Sequence, residues 1–161
     1  MKPFRAAACL LPLLSVAAFA QRSNGYWFAA PGGATGGCCT VFTVHLGAGA
    51  EIALPKFAGI GIEAGALGNP SNYTDSVFGI GSVNGYFHPR PGKSVTLDPF
   101  VTGGYSLLFR RGTANAGNYG GGLNWWFQPS MAVRVELRDH VIEGVHFWGV
   151  RMGMTFTELF P

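Results

Sequence analysis

Hydrophobic and polar residues alternate along most of this chain with a period of two, and no segment sustains a helical period. From Val41 to Leu54, the even positions Phe42, Val44, Leu46, Ala48, Ala50, Ile52 and Leu54 share one side. Val41, Thr43, His45, Glu51 and the intervening small residues share the other. Between Phe57 and Leu67, Ala58, Ile60, Ile62, Ala64 and Ala66 oppose Gly59, Gly61, Glu63 and Gly65. The contrast is sharpest near the C-terminus. Met131, Val133, Val135 and Leu137 alternate with Arg134, Glu136, Arg138 and His140, and Trp148, Val150, Met152, Met154 and Phe156 alternate with Gly149, Arg151, Gly153 and Thr155. Each of these two runs matches the roughly 9–11 residues with which a tilted strand crosses a bilayer. Segments around 101–110 and 118–127 alternate more weakly. In Val77 to His88, Phe78 and Ile80 fall in phase with Ser82 and Asn84, which predicts a bulge or a mixed face. A short strand at Tyr26–Ala30 brings the count to eight.

The links between these segments alternate in length. Leu54-Pro55-Lys56, Arg90-Pro91-Gly92-Lys93 and Gln128-Pro129-Ser130 are turn signals, whereas 31–40, 68–75, 111–117 and 139–145 read as longer polar or Gly-rich connections. Short turns on one side and longer loops on the other suit consecutive hairpins of a membrane barrel. The fold class predicted is therefore all-β, an eight-stranded antiparallel up-and-down transmembrane β-barrel.

Alternation alone also fits a soluble lipocalin-like barrel that binds a periplasmic ligand. The two differ in which face carries charge. In a membrane barrel the apolar face meets lipid and the ionic side chains fill the interior, where they must pair because little water reaches them. The polar faces here carry both signs, Glu51, Glu63 and Glu136 against Arg110, Arg134, Arg138 and Arg151, which nearly balance as one lumen network. Aromatic residues fall near both strand ends: Phe57, Phe87, Trp125 and Phe127 beside the short turns, and Phe109, Tyr119 and Trp148 beside the long links. Two belts are expected where a barrel meets two lipid–water interfaces.

Composition sharpens this picture. Charged residues make up 12% of the chain and mean hydropathy is positive, yet hydrophobic residues are dispersed rather than gathered into a membrane helix. Lys2 and Arg5, the apolar run from Ala6 to Ala17 and the small-x-small Ala18-Phe19-Ala20 form a secretory signal over 1–20, leaving 21–161 as one barrel domain. Two of the 11 basic residues lie in that signal, so against 8 acidic residues the remainder is close to neutral and offers no nucleic-acid surface. Cys38 and Cys39 are adjacent, and a bond between neighbours closes only a strained ring. They read as loop residues, and no metal or cofactor site is expected.

With these features together, the chain resembles the small eight-stranded outer-membrane barrels, the OmpA transmembrane-domain and OmpX-like class. The resemblance rests on the signal segment, Phe100-Val101-Thr102-Gly103-Gly104-Tyr105, Asn118 to Phe127, Arg134 to His140 and the closing strand. It implies a bacterial outer-membrane location, lipid as the surrounding partner, the barrel assembly machinery as the partner during insertion, and a monomer. In that class the last strand ends in an aromatic residue; here Pro161 follows Phe160.

A barrel this narrow is filled by side chains, which argues against a wide pore. The leading functional reading is a structural or interaction protein without enzymatic activity. The alternative, a lipid-A-modifying enzyme, would need a nucleophile, a base and an orienting acid at the outer leaflet. Asp139, His140, Glu143 and His146 supply bases and acids in one proposed link, but no serine lies beside them. His45 and His88 have no second metal ligand at usable spacing.

Overall fold

The strands predicted from alternation form, and most of them are longer than the pattern suggests. The computed structural model describes residues 23–37, 39–72, 76–89 and 96–157. The signal segment, Cys38, the Arg90-Pro91-Gly92-Lys93 turn and Phe160-Pro161 lie outside the described residues. The strands are β1 (Ser23–Gly36), β2 (Cys39–Ala53), β3 (Ala58–Gly68), β4 (Phe78–Phe87), β5 (Leu97–Phe109), β6 (Thr113–Gln128), β7 (Met131–Ile142) and β8 (Val145–Thr157). Each pairs antiparallel with its neighbours in sequence, and β8 closes onto β1 from Asn24↔Thr157 to Thr35↔His146. The result is a closed eight-stranded up-and-down barrel with no free sheet edge. Among the described residues no helix is long and apolar enough to cross a membrane.

We call the end where β1 begins and β8 finishes the near end, and the opposite one the far end. Three of the four far-end links are much shorter than expected. Gly36 pairs with Cys39, and Phe109 with Thr113. Ile142 pairs with Val145 across Glu143 and Gly144, whose φ of 48° and 86° match the two-residue hairpin turn that continues strand twist. Polar and glycine-rich sequence there reads as loop, but it is strand with polar outward residues. Only the β3–β4 link stays long, with a 3-10 turn at Pro70–Asn72.

β1 illustrates the same point. It runs through Pro31, which pairs opposite Val44, while its register with β8 steps from Ala29↔Met152 to Gly32↔Gly149 without shifting. Proline has no N–H to give to that ladder. In β4 the register is continuous on both sides, so the irregular alternation is a mixed face rather than a bulge. A bulge lies instead on β6, between Trp126 and Gln128.

The barrel is tight at its seam. A Cβ on Gly153 would strike the Trp27 carbonyl oxygen and Phe28 Cα of β1, so this inward position takes only glycine without backbone movement. The interior has two zones. Toward the far end Leu67, Ile80, Leu108 and Ala116 form an apolar cluster, with Phe78, Ala114, Ile142 and Phe147 packed against it. The middle and near end hold the ionic side chains, interleaved with the buried aromatics Tyr26, Phe28, Tyr86 and Phe100.

Candidate functional site

Inward parity on successive strands delivers the polar side chains to the barrel axis. Glu51 (β2), Glu63 (β3), Arg134, Glu136 and Arg138 (β7) and Arg151 (β8) are all buried there. Glu136 is the hub. Its Oε2 accepts from Arg134 Nε at 3.1 Å and Nη2 at 3.0 Å, and its Oε1 takes the Arg138 guanidinium through Nε and Nη2. Arg151 Nη1 lies 3.8 Å from the same Oε1 and donates to Glu63 Oε2 at 2.7 Å. Glu51 Oε2 is 3.9 Å from Arg134 Nη1. Three buried guanidinium groups thus face three buried carboxylates.

Aromatic residues seat the guanidinium groups. Arg134 lies 4.0 Å above the Phe100 ring and 4.4 Å above Tyr26, and Arg151 lies 4.2 Å above Phe28. Such contacts matter most where the cation is desolvated. The Tyr26 hydroxyl donates to Glu63 Oε2 at 3.2 Å and shares a 2.9 Å bond with the Tyr86 hydroxyl.

Hydrogen-bond roles extend the network toward the far end. Arginine only donates, so the contacts of Arg151 Nη2 with His45 Nδ1 (3.4 Å) and His140 Nε2 (3.1 Å) make both nitrogens acceptors. His140 therefore keeps its proton on Nδ1 and gives it to Ser106 Oγ at 3.1 Å. Ser106 also receives Asn118 Nδ2 at 2.8 Å, which leaves its own hydroxyl to reach Ser82.

At the near end His88, one residue beyond β4, is held between Glu51 (2.7 Å) and Asp98 (3.0 Å). Asn124 Nδ2 supports Asp98 at 3.1 Å. Burial alone would lower the imidazole pKa, but hydrogen bonds to Asp98 and Glu51, reinforced by their charge, hold it up at about 9. Because the folded value lies above the ordinary 6.5, the contribution is fully present below about pH 6.5 and is lost as pH rises through about 9. Over that window the unfolding midpoint is expected to fall more in the native chain than in His88→Gln, as read by denaturant titration. Parallel pH profiles for the two proteins would remove the claim.

Arg110 requires a correction. It lies past the end of β5, exposed, with its guanidinium 5.9 Å from the Phe78 ring, because the strand stops at Phe109 and parity no longer applies beyond it. The lumen network expected from charge alone leaves out the uncharged or solitary side chains that join it: Tyr26, His45, Tyr86, His88, Asp98, Ser106 and Asn118. Inward parity could have found most of them. All seven predicted belt aromatics, Phe57, Phe87, Phe109, Tyr119, Trp125, Phe127 and Trp148, point outward and are exposed. The Phe57 and Phe87 rings meet edge to face at the near end, 6.3 Å apart.

The acid–base cluster proposed for an enzyme is split by strand parity. Asp139 and His146 face outward, with Nδ1 of His146 2.6 Å from Asp139 Oδ2, whereas His140 is buried inside and Glu143 occupies the turn. The structure does bring a serine to His140, but Ser106 is fully buried and receives that imidazole's proton. A base that activates a nucleophile must take a proton. Among the described residues no group of three or more His, Cys, Asp or Glu could hold a metal ion.

No protein-family model matches the chain, and no curated protein matches it in sequence. Solved structures share the fold. The crystal structure of Neisserial surface protein A matches with a TM-score of 0.70 at 10% identity, over 83% of this chain and 96% of its own. The N-terminal β-barrel domain of Pseudomonas aeruginosa OprF matches at 0.61 and 16% identity, covering 85% of this chain and 99% of that domain. Ail of Yersinia pestis, solved with the heparin analogue sucrose octasulfate, matches at 0.56 and 12% identity, over 84% and 97%. The architecture is that of the small eight-stranded outer-membrane barrels.

Proposed function

We propose that this chain is a monomeric outer-membrane barrel with a structural or interaction role, without enzymatic activity and without an open pore. The inverted distribution of polarity carries the reading. Ile62, Val83, Val101, Leu137 and Met152 are exposed on the outer wall, while Arg134, Arg138, Arg151, Glu51 and Glu136 are buried at its centre. A water-soluble barrel would hold these the other way round. The outward aromatics support two interfacial belts. Phe127 and Tyr119 on β6 are eight residues apart, about 26 Å along the strand at ~3.3 Å per residue and about 20 Å in height after tilt, close to the roughly 25 Å apolar band of such barrels.

The interior supports a sealed lumen. The ionic layer fills the middle and the Leu67–Ile80–Leu108–Ala116 cluster stands above it. In this reading residues 1–20 are a cleaved export signal, the assembly machinery inserts the barrel, and lipid is its permanent neighbour.

Two measurements test it together. The expressed protein should remain in the outer-membrane fraction and migrate faster unboiled than boiled. Reconstituted in a planar bilayer, it should give no steady conductance. Recovery as a soluble periplasmic protein would overturn the membrane placement, and a stable open channel would overturn the sealed lumen.

A further inference from the structure

The outer wall is not uniformly convex. Near the far end a groove of about 780 Å³ runs over β6 to β8, within the roughly 300–1,000 Å³ of small-molecule sites. Cross-strand register explains it. Tyr119, Asp139 and Trp148 lie side by side in one row, and Gly121, Leu137 and Val150 in the next row toward the near end. Gly121 carries no side chain, so the space beside Leu137 stays open between the two rings.

The two ends of this groove differ chemically. Leu137, 58% exposed, joins it to the apolar band made by Val135, Val150 and Met152. At the other end Asp139 Oδ2 accepts the Tyr119 hydroxyl at 2.9 Å and the His146 Nδ1 proton at 2.6 Å. The His146 ring lines the groove, and with Nδ1 committed to the carboxylate, Nε2 is its remaining polar atom. A phosphate at Nε2 would complete a carboxylate–imidazole–phosphate series, sharing a proton with that ring nitrogen while Asp139 holds the ring from its other side. Trp148 Nε1 is fixed by Thr35 Oγ1 at 3.3 Å, which holds that wall in place.

Continuity with the lipid-facing band identifies the tail of the occupant, and the imidazole identifies its head. We infer that the groove binds one phosphate-bearing lipid of the surrounding leaflet, with an acyl chain along Leu137 between Tyr119 and Trp148 and its phosphate at His146. This rests on the membrane placement proposed above. A glycine at 121 then has a role beyond strand packing, since any larger outward side chain would occupy the path of the chain.

Native mass spectrometry of the folded protein, released from detergent after incubation with dimyristoyl phosphatidic acid or with dimyristoylglycerol, tests this. The native barrel should retain one phosphatidic acid, and about tenfold less dimyristoylglycerol. Gly121→Leu and His146→Ala should each lower phosphatidic acid retention about tenfold. Gly85→Leu, an outward substitution into open space on β4, should leave it unchanged; a Cβ there meets nothing nearer than the Gly103 carbonyl oxygen at 3.7 Å. Equal retention by Gly121→Leu and Gly85→Leu would mean non-specific lipid only and would overturn the site. So would equal retention of dimyristoylglycerol by the native protein, or a protein dimer that Gly121→Leu abolishes. Faster migration of each variant before boiling reports insertion-competent folding independently, so failure of the groove and failure of the membrane placement give different results.

Discussion

Replacing Glu136 by leucine is expected to destabilise the barrel by about 3–5 kcal/mol, the range seen when one partner of a buried ion pair is removed. Glu136 accepts two hydrogen bonds from Arg134, takes the Arg138 guanidinium on its other oxygen and lies 3.8 Å from Arg151. Without it, Arg134 keeps only the 3.9 Å approach to Glu51 as an ionic partner, and Arg138 keeps the 2.8 Å bond to Asn118. Three buried cations then face two central carboxylates, so one positive charge is left uncompensated where solvent cannot reach it. Glu63→Leu should cost less, because Glu63 pairs with Arg151 alone among the arginines, and Arg151 retains contacts with His45 and His140. Adding Arg138→Met to Glu136→Leu should restore part of the loss, since the second change removes the charge that the first orphaned. Denaturant unfolding in lipid vesicles, followed by tryptophan fluorescence, reads all three values. If Glu136→Leu proved no more costly than Glu63→Leu, and Arg138→Met gave no recovery, Glu136 would not be the hub.

Much of this interior was legible in the sequence because a strand has only two faces. Once Val135 and Leu137 are set outward, Arg134, Glu136 and Arg138 must point inward, and six of the seven charges expected in the lumen are buried there. Arg110 is not, because parity carries no information past a strand end. Strand ends were also the least legible part of the fold. Asp139 and His146 resemble loop residues in composition, yet they sit in paired strands, where outward polar groups at the far end need no apolar neighbour. Parity likewise separated His140 from Asp139 and His146, which adjacency in sequence had grouped together. What no local pattern could reveal is contact across the lumen. Ser106 and His140 lie on strands that do not pair, and Tyr26 reaches Tyr86 across the barrel rather than along the sheet. The bulk of Phe28, Tyr86 and Phe100 beneath the guanidinium groups explains why a charged layer can be close-packed, and the sequence shows those residues only as scattered aromatics.

Val135→Arg is the matching test of the outer wall, with an expected cost of about 2–4 kcal/mol near the bilayer midplane. Val135 is 45% exposed and pairs with Leu123 on one side and Met152 on the other, so its outward neighbours are apolar. It lies one outward row from the Trp125–Val133–Met154 row and two from the Tyr119–Asp139–Trp148 row, within the apolar band between them. An arginine there would have to give up hydration or bend its side chain toward a headgroup, and no carboxylate faces outward beside it. The same substitution at Asn115, exposed near the far-end turn of β6, should cost about 0–1 kcal/mol, because the guanidinium is then within reach of water. On a water-facing wall both changes would fall within about 0.5 kcal/mol of zero. The contrast between the two positions, measured by unfolding in vesicles, therefore separates lipid from water at the outer wall without reference to the lumen. Equal tolerance at 135 and 115 would show that Val135 meets water.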